Sequence, residues 1–307
     1  MGQWKIVDPL ILIAVTPVHA GTGRSLSGDV DLPVQRDWRG IPIIWGSSIK
    51  GAMRSLYSSR KGQPSSTEDR EEESIFGPRR ERAADHASAI SIWDARLLLI
   101  PAPCSPGGFC FVTTPLMLRE CALLLDSTTA TPVSPETLRA LAEATEQGER
   151  PAAAPELLKG GEVTKIMIRD RLFSDLSQLP SDRLAEIHEG LKSMGVPEGL
   201  ARYVKTRMLV LPDEELSFVG KLTTVVVRVA LTEKKTVESG ALWTEEYVPE
   251  LSMFLTAITF TSPKGGEGGS VSPEAIREKL YGGLGASQAG HLFLTLGGNE
   301  TVGKGLV

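Results

Sequence analysis

The sequence predicts an α+β fold of the ferredoxin-like kind, and three observations predict it. Apolar, β-branched runs lie near both ends of the chain, at 6–16 and 251–261. A helix with a 3.6-residue apolar stripe follows the first run, and a helix with signals at both ends follows the second. The resulting order is strand, helix, strands, insertions, strand, helix, strand, which suits a sheet with helices on one face.

Ile6 to Thr16 reads as a buried strand that Pro17 interrupts. A glycine- and proline-rich connection, Val18 to Gly46, follows; such segments lie on the surface and often carry function. From Ser47 to about Arg60, Ile49, Ala52, Met53, Leu56 and Tyr57 fall at i, i+3, i+4, i+7 and i+8, with Ser47 or Ser48 as N-cap. Lys50 in the first turn opposes the helix dipole, an arrangement that suits an external anion held by backbone N–H groups and Lys50. Arg54 extends that cradle one turn later. Residues 61–74 are polar and charge-rich and read as a mobile loop. Strands are expected at 89–100 and 109–114, with Pro101, Pro103, Pro106, Gly107 and Gly108 punctuating between them.

Helical patterns follow at about 136–147 and 181–193. Leu222 to Leu231 reads as a strand, Thr232 to Lys235 as its turn, and Val237 to Tyr247 as a returning arm. Leu251 to Thr261 is another buried strand, followed by a glycine-rich loop at 265–269. Ser272 then caps a helix with Pro273 at its first position, and Gly282, Gly283 and Gly285 end it. His291 to Leu296 is expected as a last strand. No internal repeat is visible.

With 307 residues, 41% of them hydrophobic, the chain can bury a substantial core. It reads as one elaborated domain over 1–307, with the loop at 61–74 and an insertion at about 125–220. No apolar run approaches the ~20 residues that span a bilayer, and the start lacks a signal-peptide pattern, so a soluble, cytoplasmic protein without membrane contact is expected. The cysteines (Cys104, Cys110, Cys121) are odd in number and form no C-x-x-C pair, which argues against a disulfide framework or a zinc knuckle. The net charge of −5 argues against a general nucleic-acid coat. Residues 1–60, however, carry seven basic and four acidic side chains, a net of +3, leaving −8 for the remainder. An acidic protein can still hold a polyanion if its bases line one groove.

Several segments, in order along the chain, resemble the Cmr-complex (type III-B CRISPR) backbone subunits of the RAMP superfamily. They are AVTPVHAGTGR (14–24), GDVDLPVQRD (28–37), IPIIWGSSIKGAMR (41–54), SIFGP (74–78), ISIWDARLLLIPA (90–102) and ESGALWTEEYVP (238–249). The terminal GGNETVGKGLV (297–307) is similar to the glycine-rich loop of that superfamily. The resemblance implies a ferredoxin-like, RRM-like palm with inserted helices and a projecting β-hairpin thumb, the RAMP fold. It also implies head-to-tail polymerisation with other copies along a guide crRNA, alongside other Cmr-complex subunits, with base pairing choosing the target. Thumbs would wedge between bases, and target single-stranded RNA would be cut once per subunit with a divalent metal, Mg2+ or Mn2+, present.

The family's cleaving aspartate lies in the segment that here reads DVDLPVQR, so the resemblance assigns the cut to Asp31, with Asp29 two positions away. RNA brings its own nucleophile, the 2′-hydroxyl, and the protein must position the strand and accept a proton. Asp31 suits either of two roles, recruiting a hydrated metal or acting directly as base. His19, on the preceding block, is a candidate proton carrier or phosphate partner. Ser47, Ser48, Lys50 and Arg54 are candidate guide-RNA contacts, Arg36 and Arg39 candidate guides of the target strand, and Trp243 and Tyr247 candidate stacking residues. Gly298 to Lys304 satisfies G-x-x-x-x-G-K, but Gly305 replaces the Ser/Thr that a P-loop needs, which excludes nucleotide hydrolysis. Gly303 and Lys304 can instead approach an RNA phosphate. A non-catalytic guide-RNA scaffold of the same complex is the alternative; a small-molecule enzyme has only the defective P-loop match in its favour.

Overall fold

The computed structural model describes all residues except 1–5, 26–28, 62–65, 79–81, 83–84, 147–149, 232–236, 264–270 and 287–290. In chain order its first half comprises β1 (Ile6–Ile13), β2 (Ile43–Ile44), α1 (Gly46–Lys61), α2 (Ser66–Phe76), β3 (Ile90–Ile92), β4 (Ala95–Ser105), β5 (Gly108–Thr113), α3 (Pro115–Asp126) and α4 (Pro135–Glu146). There follow β6 (Ala152–Ala153), β7 (Lys165–Ile168), β8 (Arg171–Ser174), β9 (Ser177–Gln178), α5 (Ser181–Ser193), α6 (Glu198–Arg207) and β10 (Met208–Val210). The last elements are α7 (Leu216–Gly220), β11 (Thr224–Leu231), β12 (Val237–Tyr247), β13 (Met253–Phe260) and α8 (Pro273–Leu284).

The α+β class is as the sequence predicts. The main sheet runs β1-β13-β4-β5-β10-β6-β9, and its mixed character comes from the parallel pairs β5–β10 and β6–β9. β1 pairs antiparallel with β13 over its full length, and every residue of β13 is buried, which explains an apolar run without alternation. α1 and α8 pack together against this sheet. Ile49, Met53 and Tyr57 of the α1 stripe are buried, and α8 comes so close that a Cβ on Gly283 would sit 2.0 Å from the Tyr57 ring. Ser272 accepts from Ala275 N–H at the start of α8, and Gly285 caps its end in the left-handed conformation. The central stretch adds its strands to the same sheet, and β11–β12 stands apart as a two-stranded hairpin. Val225, Val227 and Val229 alternate along β11 and, with Leu242 opposite Val229, are 46–63% exposed. The expected turn at 232–235 and the loop at 265–269 lie outside the described residues. Among the described residues no helix is long and apolar enough to cross a membrane.

Five expectations need correction. α1 starts at Gly46, so Ser47 and Ser48 lie in its first turn rather than capping it. The Asp94 carboxylate takes the Gly46 N–H at 2.7 Å, and a side chain at Gly46 would meet Ile92 O at 2.1 Å. Residues 66–74 of the expected loop are helical, as part of α2; Ile75 and Phe76 at its end reach the core, while Glu71 and Glu72 bind Tyr57, Arg54 and Ser58 of α1. β4 continues through Pro101 and Pro103. Residues two apart in a strand present N–H to the same edge, and Pro103 O accepts from Arg169 N, so both missing donors face away from β5. α3 was not expected; Thr114 caps it, Pro115 opens it, and most of its apolar residues are buried, Leu123 excepted. His291 to Leu296 is not a continuous strand. Leu294 and Val307 exchange backbone hydrogen bonds at 2.9 Å, and Leu306 O accepts from Val15 and Thr16, so this segment is tied to the chain's last residues.

Candidate RNA-cleaving site

The long connection after β1 is held by isolated bridges to the foot of the β11–β12 hairpin and to the terminal loop. Val18 bridges Val248, His19 bridges Gly297 and Leu32 bridges Glu245. This laces residues far apart in sequence into one site.

Asp31 sits where the loop meets β12. Its Oδ2 accepts from the Thr244 N–H at 2.8 Å and the Thr244 hydroxyl at 3.0 Å, while its own N–H donates to Thr244 Oγ1 at 2.9 Å. These hydrogen bonds, Thr244 N–H first and the hydroxyl second, with Arg24 assisting, outweigh partial burial and hold the carboxyl below its ordinary range. Oδ1 has no hydrogen-bond partner among the described residues. Asp29 is exposed nearby in sequence. Among the described residues no three metal-ligating side chains converge. Mg2+ is commonly held by one or two carboxylates together with substrate phosphates, so an ionised carboxylate with a free oxygen fits such an ion without a full protein cage.

His19 is buried, at 8% exposure. Its Nδ1 lies 2.7 Å from Glu246 O; a carbonyl only accepts, so Nδ1 carries the hydrogen. The ring tilts against Tyr247, and a Cβ at Gly21 would sit 2.6 Å from Nε2. Glycine is therefore needed beside the imidazole.

The strand residues Thr244–Tyr247 do more than sequence reading assigned to them. Glu245 is buried and accepts from Trp243 Nε1, Arg228 Nε, Asn299 Nδ2 and the Tyr247 hydroxyl. Burial opposes its ionisation, but the hydrogen bonds from Tyr247, Trp243 and Arg228 outweigh it and lower its pKa. Burial and Glu245 together raise that of Tyr247. Glu246 accepts from Val34 N at 3.0 Å, from the Thr223 hydroxyl at 2.5 Å and from Arg36. The available signal was TEEY, two consecutive acids inside a strand; Trp243 and Tyr247 drew attention instead as stacking aromatics. Tyr247 is buried and hydrogen-bonded, and it has no free face for a base.

Arg36 and Arg39 are committed inside the protein. Arg36 binds Glu246, Gly40 O, Gly220 O and Thr223; Arg39, with 8% of its side chain exposed, pairs with Asp37 and Glu120. Their charges hold the loop, which corrects the expectation of two arginines facing a target strand. Gln35 joins this loop to α1, donating to Gly21 O and Ser48 Oγ and accepting from Trp45 N–H. On α1, Ser47 is exposed and Lys50 Nζ meets Ser88 Oγ at 2.9 Å. Burial first, then the neighbouring Arg54, lowers the Lys50 pKa. Arg54 Nε pairs with Glu72 at 2.7 Å, but its Nη2 is buried without a hydrogen-bond partner. The terminal loop closes over the site: Gly298 N–H donates to His19 O at 3.0 Å, and Lys304 Nζ lies 5.5 Å from the Tyr247 ring centroid. Gly303 is left-handed.

The sequence pattern of the RAMP superfamily matches residues 11–307. The chain is 30% identical over 302 residues to the CRISPR system Cmr endoribonuclease Cmr4 of Pyrococcus furiosus, covering 96% of this chain and 92% of that protein. It is 27% identical over 325 residues to the CRISPR system CMR subunit Cmr4 of Saccharolobus solfataricus, covering 100% and 97%. Among solved structures, a subunit of the type III-B Cmr-beta complex bound to cognate target RNA superposes with a TM-score of 0.71 at 25% identity, covering 99% and 96%. A crystal structure of oligomeric Cmr4 from Pyrococcus furiosus shares the fold, with a TM-score of 0.67 at 23% identity over 98% and 95% of the two chains.

Proposed function

The chain belongs to the RAMP superfamily, and we propose that it is a guide-RNA-binding filament subunit of a type III-B CRISPR effector that cuts complementary single-stranded RNA. Copies of the chain would line up head to tail on a guide crRNA, with other Cmr-complex subunits, in the cytoplasm. The observation that carries the reading is Asp31: its carboxyl is held below its ordinary pKa range, with one oxygen fixed by Thr244 at the foot of the hairpin and the other without a hydrogen-bond partner among the described residues.

A hairpin that wedges between bases would splay a target nucleotide, bringing its 2′-hydroxyl in line with the adjacent phosphorus. Asp31 would then accept the proton of that hydroxyl, or hold a divalent cation. Mg2+ or Mn2+ bound there, with Asp29 as a second carboxylate, would supply positive charge to the phosphate. His19, fixed through Nδ1, presents its Nε2 edge beside Gly21 and supports the loop. Lys50 and Arg54, with Ser47 and Ser48 at the start of α1, would hold the guide backbone, and the Gly303–Lys304 turn a further phosphate. Arg36 and Arg39 keep the loop in shape for this task.

The test is the assembled complex carrying Asp31→Ala. It should bind guide and target as before and lose target cleavage, and a chelator should stop the unaltered complex. Cutting at the original rate with Asp31→Ala would remove Asp31 from catalysis; an unaltered complex that never cuts would leave only the scaffold role.

A further inference from the structure

The central stretch between α3 and β11 contains none of the short segments that carry the resemblance, yet it sends one side chain to the root of the hairpin. β7 and β8 form a small hairpin in which Ile168 pairs with Arg171, leaving Arg169 and Asp170 as its turn. Arg169 is left-handed, with φ of +53°. Glycine and asparagine favour that conformation, and an arginine adopts it at a cost. Its guanidinium shows what the strain accomplishes. Nη1 donates to Lys221 O at 2.7 Å, and Nη2 donates to Leu222 O at 2.9 Å and Thr223 O at 2.8 Å. Arg36 takes the preceding carbonyl, Gly220 O, at 2.8 Å. Four consecutive carbonyls, from the end of α7 to the entry of β11, are thus held by two guanidinium groups.

We propose that Arg169 is a positioning residue for RNA cleavage: it fixes the root of the β11–β12 hairpin and, through it, Asp31. The connection is short. Thr223 binds Glu246, Glu246 binds Val34 N–H, and Thr244, two residues before Glu246, holds the Asp31 carboxylate. A planar fork suits adjacent carbonyls better than a point charge does. A displaced root moves the wedge and the carboxylate together, so the penalty falls on where and how fast RNA is cut rather than on whether it binds.

This rests on the endoribonuclease reading, so the experiment has two arms. In the assembled complex with guide, end-labelled target RNA is digested and the cut sites are mapped for the unaltered chain, Arg169→Ala and Arg169→Lys. Arg169→Ala should slow cutting on the order of ten- to a hundredfold and spread it over neighbouring linkages, with unchanged target affinity; Arg169→Lys should restore part of both. In parallel, hydrogen exchange of the Thr244 and Leu32 amides should quicken in Arg169→Ala. Original cut sites and rate per assembled complex, with unchanged exchange, overturn the proposal, as does a loss confined to the yield of complex. A complex that never cuts defeats the functional reading instead; the exchange arm then decides whether Arg169 positions the root.

Discussion

Removing the Glu246 carboxylate should unfasten the loop from the hairpin, and the structure sets the size of the effect. Glu246→Ala takes a charged acceptor from Val34 N–H, the Thr223 hydroxyl and the Arg36 guanidinium. A hydrogen bond to a charged group contributes about 1.5–3 kcal/mol, and breaking a buried ion pair costs about 3–5 kcal/mol because the partner charge stays behind. The two figures overlap and do not add. Arg36 keeps Gly40 O and Gly220 O, and 27% of its side chain reaches water, against 6% for Glu246. That relief moves the expectation to the low end, about 3 kcal/mol. Urea titration of the purified chain, followed by tryptophan fluorescence, measures it as a lower midpoint at unchanged slope. Arg36→Met together with Glu246→Ala should cost less than the sum of the single changes, since no charge is then stranded. A loss below about 1 kcal/mol for Glu246→Ala, or strict additivity of the pair, would refute the reasoning.

Three further outcomes follow from the same geometry. The depressed pKa of Asp31 means that its interaction with Thr244 is fully present above the unfolded-state aspartate value and is lost only as pH falls through the lower folded-state value. Asp31 should therefore stay ionised from about pH 7 to about pH 5, as carboxyl NMR titration would report, and Thr244→Val should raise its midpoint. Replacing Lys50 and Arg54 together with Glu should weaken RNA association and flatten its salt dependence, by about 0.7 in logarithmic slope for each single-strand phosphate no longer neutralised; an unchanged slope removes them from the guide path. Gly297→Ala should loosen the terminal loop and lower thermal stability. Its φ is +84°, and a methyl group would lie 2.0 Å from His19 O, so an unaltered melting temperature would contradict that packing.

What could be read before the structure was whatever one short stretch encodes by itself. The α1 stripe is legible because Ile49, Met53 and Tyr57 share a face through helix geometry alone, and the α8 caps because Ser272, Pro273 and Gly285 act on their own neighbours. Asp31 was reached through the resemblance carried by DVDLPVQR, and its anchoring to Thr244 had no local trace, since 213 residues separate them. Arg36 and Arg39 were misread for the same reason: their carboxylates, Glu246 and Glu120, lie 210 and 81 residues away, and an arginine without its partner in view reads as available. The acidic stretch of α2 reads as a mobile loop because Arg54 and Tyr57, which it serves, stand on another helix. Arg169 carried no signal at all. Its importance arises only once the sheet brings one hairpin tip to another hairpin's base.

The three valines and one leucine on the open face of the β11–β12 hairpin bear on how this protein can be handled at the bench. Each is already about half buried, so full enclosure would gain it roughly 0.7–1.9 kcal/mol, and the lone chain in dilute buffer leaves that gain unrealised. Any greasy surface it meets becomes a competitor for that face, other misfolding chains included. Overproduction without companions should therefore leave much of it in the pellet, and a polar replacement at Val227, the most exposed of the valines, should bring more of it into the supernatant.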